Sequence, residues 1–499
     1  MGTFLISAAE IRDIPIFRRC VWAPVAVLFL FAGCAINPAT GDRDFVLMSE
    51  AEEIALGRQY HPQVLTQYRV YEDPELQEYV QSLGERLGNN SHRDNLIYRF
   101  TVLDSDEVNA FALPGGYIYI TRGLMAYLDS EAELAAVLGH EIGHVTARHA
   151  AQQQARSTLV GVAGAAAAIG TGSRAAYDLT NVLGTALVRG YGRDLELEAD
   201  RLGAEYLART DYRPEAMIEV VETLKEQEQF EIARARAEER EPNVYHGVFS
   251  THPDNDERLQ EVVRAAEALS TGAPVPDQDA VYLQHLDDMP FGSSRSEGIL
   301  KGRDFYHADL AFTLRFPEQW RVENRPDRLV AIAPGDEAVL QLTVEDLNIK
   351  GTPRDFLLNR LEVRNPREGA PLDLDGLEGF TAIAPSAPSP YGQRPVRFGV
   401  IFYDNQAYVI AGASKQGGGT IADAAMLDTI RSFRALGPDE LELAEPKRID
   451  IVEVEPGMTI SSLAADSPVP NYPEEQLRLL NGLYPDGELQ AGELIKTIQ

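Results

Sequence analysis

His140-Glu141-Ile142-Gly143-His144 sets two imidazoles four positions apart, with a carboxylate between them. On a helix four residues turn the chain by about 400°, so both rings leave one face and can take one metal ion. Zinc so held acidifies water towards a pKa of about 7, and Glu141, one step round, stands where a general base would take the proton. That chemistry is hydrolysis. A five-residue motif also arises by chance, so a third ligand is needed. His149 is one candidate, but on a continuous helix it lies about 900° from His140, on the opposite side. It also lacks the glycine turn of a metzincin and reads as structural. Glu196 is the better candidate. In Glu196-Leu197-Glu198-Ala199-Asp200 the first and last carboxylates stand one helical turn apart and face the same way. Glu196 would complete a site for one zinc ion per chain with His140 and His144, and Asp200 would hydrogen-bond a ligand histidine and fix its tautomer. Glu198 points elsewhere and is expected to be solvated.

The elements that must hold these residues have readable ends. Ser130 with Glu133 forms a capping box for the helix carrying the motif. Leu134, Val137, Leu138, Ile142 and Val145 recur on it at core-facing spacing. Ser49 opens an earlier helix with Glu50, Glu52 and Glu53 in its first turn, where carboxylates suit the helix dipole. A second helix is expected from about Glu75 to Leu87, strands at 98–103 and 116–120, then a helix from about Asp194 and further helices to about 268. Residues 157–192 are rich in glycine and alanine. They are expected to form a small-residue helical pair over the site, with a membrane hairpin as the alternative.

HEIGHVTARH followed by ELEAD resembles the HtpX and CAAX-prenyl-protease superfamily of gluzincins. Within it the chain is similar to the soluble periplasmic lipoproteins of the β-barrel assembly-enhancing type. NPATGDRDFVLMSEAEEIALG at 37–57, NAFALPGGYIYITRGLM at 109–125, ADRLG at 199–203 and Thr251-His252-Pro253 with Arg258 carry the same resemblance. It covers about 37–268 and implies a zincin-like peptidase fold. It also implies that Gly116, Tyr117, Ile118 and Tyr119 form the sheet edge on which an extended peptide pairs, a mode that tolerates many sequences. No tetratricopeptide repeat follows, so partners bound through one are not implied. His252 stands before a proline, in a loop. It could plug the fourth zinc position, donate to an oxyanion or be merely structural, and the resemblance implies the plug.

Charge and composition bound the rest. Among 499 residues, 77 acidic side chains face 45 basic ones, a formal charge of −32. No basic stripe is left for a nucleic acid. Arg12, Arg18 and Arg19 precede an apolar run too short to span a bilayer, the pattern of a secretory signal. Its end, Phe31-Ala32-Gly33-Cys34, resembles a bacterial lipobox, which would make Cys34 a lipid-anchored mature N-terminus; an ordinary cleaved signal is the alternative. Alanine at 35 favours the outer membrane. EPGMTISSLAADS and the stretch to Ile498 resemble a LysM module, which implies peptidoglycan binding, with a packing role as the alternative.

The expected fold is therefore α+β and multidomain. Residues 1–33 form a lipoprotein signal peptide and 34–48 a tether, followed by a mainly helical zincin-like metallopeptidase domain at 49–268. A linker at 269–300 leads to an α+β sheet domain at 301–435 without a catalytic constellation. An acidic linker at 436–447 then leads to a small βααβ unit at 448–499. The expected function is a periplasmic, outer-membrane-anchored zinc endopeptidase acting on unfolded or misassembled envelope proteins. The rival is a cell-wall-binding scaffold or chaperone-like quality-control factor with a latent protease site.

Overall fold

The computed structural model describes residues 34–158, 191–238, 242, 263–269, 278–325, 327–347, 350–416 and 421–499. The signal segment, His252 with its neighbours and most of the glycine- and alanine-rich stretch lie outside the described residues. The protein is a mixed helical and sheet chain of several domains. Among the described residues no helix is long and apolar enough to cross a membrane.

Two short strands, β1 (Cys34–Ile36) and β2 (Arg43–Phe45), pair antiparallel and open the described chain. Helix α1 (Glu50–Gln67) starts at Ser49, which with Glu52 makes a reciprocal capping box. Helix α2 (Pro74–Gly88) starts at Asp73, whose carboxylate accepts from the Glu75 and Leu76 amides, with proline at the position that needs no amide. A four-stranded sheet follows, ordered β3 (Arg69–Val70), β4 (Arg99–Asp104), β6 (Tyr117–Thr121), β5 (Ala110–Leu113). Strand β6 runs parallel to β4 and antiparallel to β5, so it lies inside the sheet with every residue buried. This corrects the expectation for Gly116, Tyr117, Ile118 and Tyr119: the last three are paired on both sides and cannot receive a peptide, Gly116 lies in the turn before them, and the edges of the sheet are β3 and β5. The turn between β5 and β6 explains the slip, because Gly115 and Gly116, at φ 81° and 88°, fold β5 back along the outer side.

Against this sheet pack α3 (Arg122–Tyr127), α4 (Glu131–Thr146), α5 (Arg193–Arg209) and α6 (Ala216–Ala237). Residues 269–300 are more than a linker. Helix α7 (Asp279–Leu286) sends Tyr282, Leu283 and Leu286 into the same core, and the Tyr282 hydroxyl donates to the Met125 carbonyl. Fully buried Arg122 ties Asp104 to the Pro290 carbonyl and Glu297.

The next domain carries a seven-stranded antiparallel sheet. Its order is Arg321–Arg325, Arg328–Ile332, Ala338–Asp346, Gln406–Ser414, Arg394–Tyr403, Leu377–Ala387, Arg367–Leu374. A four-stranded sheet and the helix Ile421–Arg431 complete it around Phe312, Tyr408 and Phe433. At the C-terminus the elements run Lys447–Glu453, Ile460–Asp466, Pro473–Leu480 and Leu494–Ile498: strand, helix, helix, strand. This unit is not free-standing. Ile449, Ile460, Leu477, Leu480 and Ile498 belong to the core that holds α4. Wholly buried Lys496 donates to the Ala126 and Leu128 carbonyls and pairs with Asp129.

Candidate metal centre and active site

Both ends of α4 are held. At its start the Ser130 hydroxyl accepts from the Glu133 amide, and the Glu133 carboxylate accepts from the Asp129 amide. At its end Arg93 donates to the Val145 carbonyl, and Arg148 leaves the helix at φ 60°. Arg93 and Arg148 both grip Glu53 of α1, which is almost completely buried. Every residue of α4 is buried. The motif therefore sits in the core, where a misplaced ring costs packing as well as function.

Helix α5 crosses α4 at glycines. A Cβ on Gly143 would stand 2.9 Å from the Ala199 carbonyl oxygen, and one on Gly203 would stand 3.1 Å from the His140 nitrogen. Only glycine lets the two backbones approach this closely. The crossing brings Glu196 Oε2 to 3.5 Å from His140 Nε2 and Glu196 Oε1 to 3.7 Å from His144 Nε2, with the two Nε2 atoms 3.0 Å apart. Ligands at 2.0–2.2 Å round a tetrahedral ion stand about 3.3 Å from one another. The three donors bracket that value. Glu196 has no exposed surface, and a carboxylate facing two imidazoles in the core calls for a positive charge among them. Asp200, also fully buried, lies 2.8 Å from His140 Nδ1. It holds that nitrogen protonated and turns Nε2 towards the cluster. His140, His144 and Glu196 thus fit a zinc ion in donor type, spacing and burial.

Two sequence expectations change here. Because α4 stops at Thr146 and Arg148 adopts a left-handed conformation, His149 swings back instead of continuing round the helix. Its Nδ1 lies 2.8 Å from His144 Nδ1. Glu198 is not a solvated spectator: one oxygen lies 3.4 Å from His149 Nε2 and the other accepts from Asn37.

Glu141, 2% exposed, borders a narrow apolar cavity of about 30 Å³ formed with His140, Ala110, Val137, Met217, Val221 and Leu224. Met217, Val221 and Leu224 recur at helical spacing on α6, a stripe that could have been read from the sequence. Tyr191 had no such signal. Its ring stacks on His144 at 4.2 Å, and burial together with Glu141, Glu196 and Glu53 pushes its phenol up, so it stays protonated as a donor.

Residues 74–266 match peptidase family M48. The chain carries an M48 peptidase domain. Its relatives bear the names of proteases and metalloendopeptidases. A β-barrel assembly-enhancing protease of Yersinia pestis is 31% identical over 254 residues, covering 49% of this chain and 50% of its own. That of Escherichia coli K12 is 30% identical over 273 residues, covering 53% and 52%. A mitochondrial metalloendopeptidase OMA1 of Arabidopsis thaliana is 33% identical over 135 residues, 27% of each chain. The chain spans about half the length of the β-barrel assembly-enhancing relatives it matches.

Proposed function

We propose that this protein is a zinc metalloendopeptidase of the bacterial cell envelope that hydrolyses unfolded or misassembled outer-membrane proteins. One observation carries it: His140, His144 and Glu196 converge, buried, at the spacing of a tetrahedral zinc site. Zinc, when bound, polarises the scissile carbonyl and makes water acidic enough to attack it at neutral pH. Glu141 takes the proton from the attacking water and returns it to the leaving amine. Asp200, 2.8 Å from His140 Nδ1, keeps that ring in one tautomer.

Strand β5 and the cavity support that substrate class. Strand β5 ends the sheet, and its Ala110 borders the cavity beside Glu141. A polypeptide paired along β5 is held by its backbone, whatever its sequence, with one apolar side chain in the cavity. Only unfolded chain can adopt that pose. Bacterial relatives named β-barrel assembly-enhancing proteases support this reading.

Anchoring through an acylated Cys34 is part of the proposal. Palmitate-analogue labelling of the wild type, lost in Cys34→Ser, is the expected result. Peptidoglycan binding by 448–499 is less favoured than a packing role, since that unit spends its apolar face on the peptidase core. For His252, the plug predicts that His252→Ala raises basal proteolysis; a large loss with zinc retained would instead mark an oxyanion donor, and no change a structural histidine. The decisive experiment is metal analysis with casein turnover on the chain from Ala35. Stoichiometric zinc with turnover supports the enzyme. Zinc without turnover supports the latent scaffold.

A further inference from the structure

The two ligand histidines are held differently. His140 meets Asp200 directly. His144 Nδ1 instead meets His149, which is wholly buried. With His144 Nε2 turned to the metal cluster, its Nδ1 carries the proton and donates to His149 Nδ1. The other ring nitrogen of His149, Nε2, faces Glu198 Oε2 at 3.4 Å. The other oxygen of Glu198 accepts from Asn37 Nδ2 at 2.8 Å. The His144–His149 and Glu198–Asn37 contacts are at hydrogen-bond distance, and His149 meets Glu198 at ion-pair distance.

Asn37 is itself fixed. It is 3% exposed, and its amide oxygen accepts from the Ala39 and Thr40 amides. Its amide nitrogen also donates to Asp44 on β2, and Asp44 accepts from Gln152 on the helical segment that follows His149. The β1–β2 hairpin is thereby clamped onto the back of the metal centre. One stretch of α5 supplies all three carboxylates: Glu196 for the metal, Asp200 for His140 and Glu198 for His144 through His149.

We propose that His149 and Glu198 are positioning residues for His144, and that docking of Asn37 on Glu198 makes the tether a working part of the metal site. The chain Asn37–Glu198–His149–His144 fixes the tautomer and ring angle of the ligand, and releasing the hairpin lowers metal affinity. This rests on the zinc site proposed above and adds to it Asn37 and His149, outside both motifs, and Glu198, at an unspecified position of the second.

The test uses the full mature chain and reads metal rather than activity. Zinc affinity is measured by competition with a chromophoric chelator, ring geometry by the visible spectrum of the cobalt(II)-substituted protein, and folding by thermal unfolding of the metal-free form. His149→Phe keeps the ring volume and removes the acceptor; it is expected to weaken zinc binding by about 10–100-fold and to shift the cobalt bands. Glu198→Gln and Asn37→Ala are expected to show smaller losses in that order, while Glu205→Gln, on the outer face of the same helix, changes nothing. Metal-free unfolding is expected to be nearly unaffected in all four. Wild-type affinity and an unshifted spectrum in His149→Phe would overturn the relay. So would losses that merely track a drop in metal-free stability. A wild-type chain that binds no zinc would instead overturn the metal site itself, and the relay with it.

Discussion

Among the residues at the metal, Glu141 and Glu196 are both carboxylates and should fail in different ways. Glu141→Gln preserves shape but cannot accept a proton, so zinc content is expected to hold while casein turnover falls by about 10²–10⁴-fold. Glu196→Ala removes a ligand, and metal analysis should show zinc lost. Asp200→Ala should fall between, at about 10–100-fold in affinity. Near wild-type turnover in Glu141→Gln would remove it as the base. The convergence of His140, His144 and Glu196 was legible because HExxH and ExxAD are local: helical geometry alone decides which atoms share a face. His149 and Glu198 were not. Their roles depend on Arg148 turning out of the helix at φ 60° and on Asn37 arriving from far away in sequence, and neither event leaves a periodic trace.

The spacing between α4 and α5 sets the donor distances, and glycine sets the spacing. A methyl group on Gly143 would press on the Ala199 carbonyl at 2.9 Å. Gly143→Ala is therefore expected to cost about 1–3 kcal/mol of stability and, by pushing Glu196 outward, to weaken zinc binding as well. Chelator competition beside a melting curve checks both; loss of stability with affinity intact would mean that the helices slide rather than separate. Helices were easier to foresee than the sheet. Caps at Ser49 and Ser130 are short-range signals, and both helices begin where those residues stand. Strand order is not short-range. Nothing within GYIYI says that β5 would fold back outside it, and Arg367–Leu374, largely exposed, carries little alternation to read.

Across the whole molecule, the C-terminal unit buttresses the turn that launches α4. Lys496→Ala strips the Ala126 and Leu128 carbonyls of their donor and Asp129 of its partner, at a cost of about 2–3 kcal/mol. Deleting 448–499 should destabilise the M48 domain, seen as a lower melting temperature or aggregation; a detachable binding module would leave it intact. The middle domain carries its own pH dependence. Burial, reinforced by Arg69, pushes the His307 imidazole down to about 4. Below its unfolded value of about 6.5 the unfolded chain takes a proton that the folded one refuses, so stability is fully present above 6.5 and falls towards pH 4 by up to about 3 kcal/mol. Urea unfolding at pH 7 and 4.5 should show that slope in the wild type and lose it in His307→Phe. Finally, β1 begins at Cys34 itself and Asn37 is already clamped to Glu198. Were Cys34 acylated as proposed, at most about 10 Å of chain would separate its sulfur from the folded body. Such an anchor is a mount and not a leash. It would fix the height of the catalytic cleft above the lipid headgroups, so reach would be decided by how far a faulty barrel strand hangs out of the bilayer rather than by any swing of the protease.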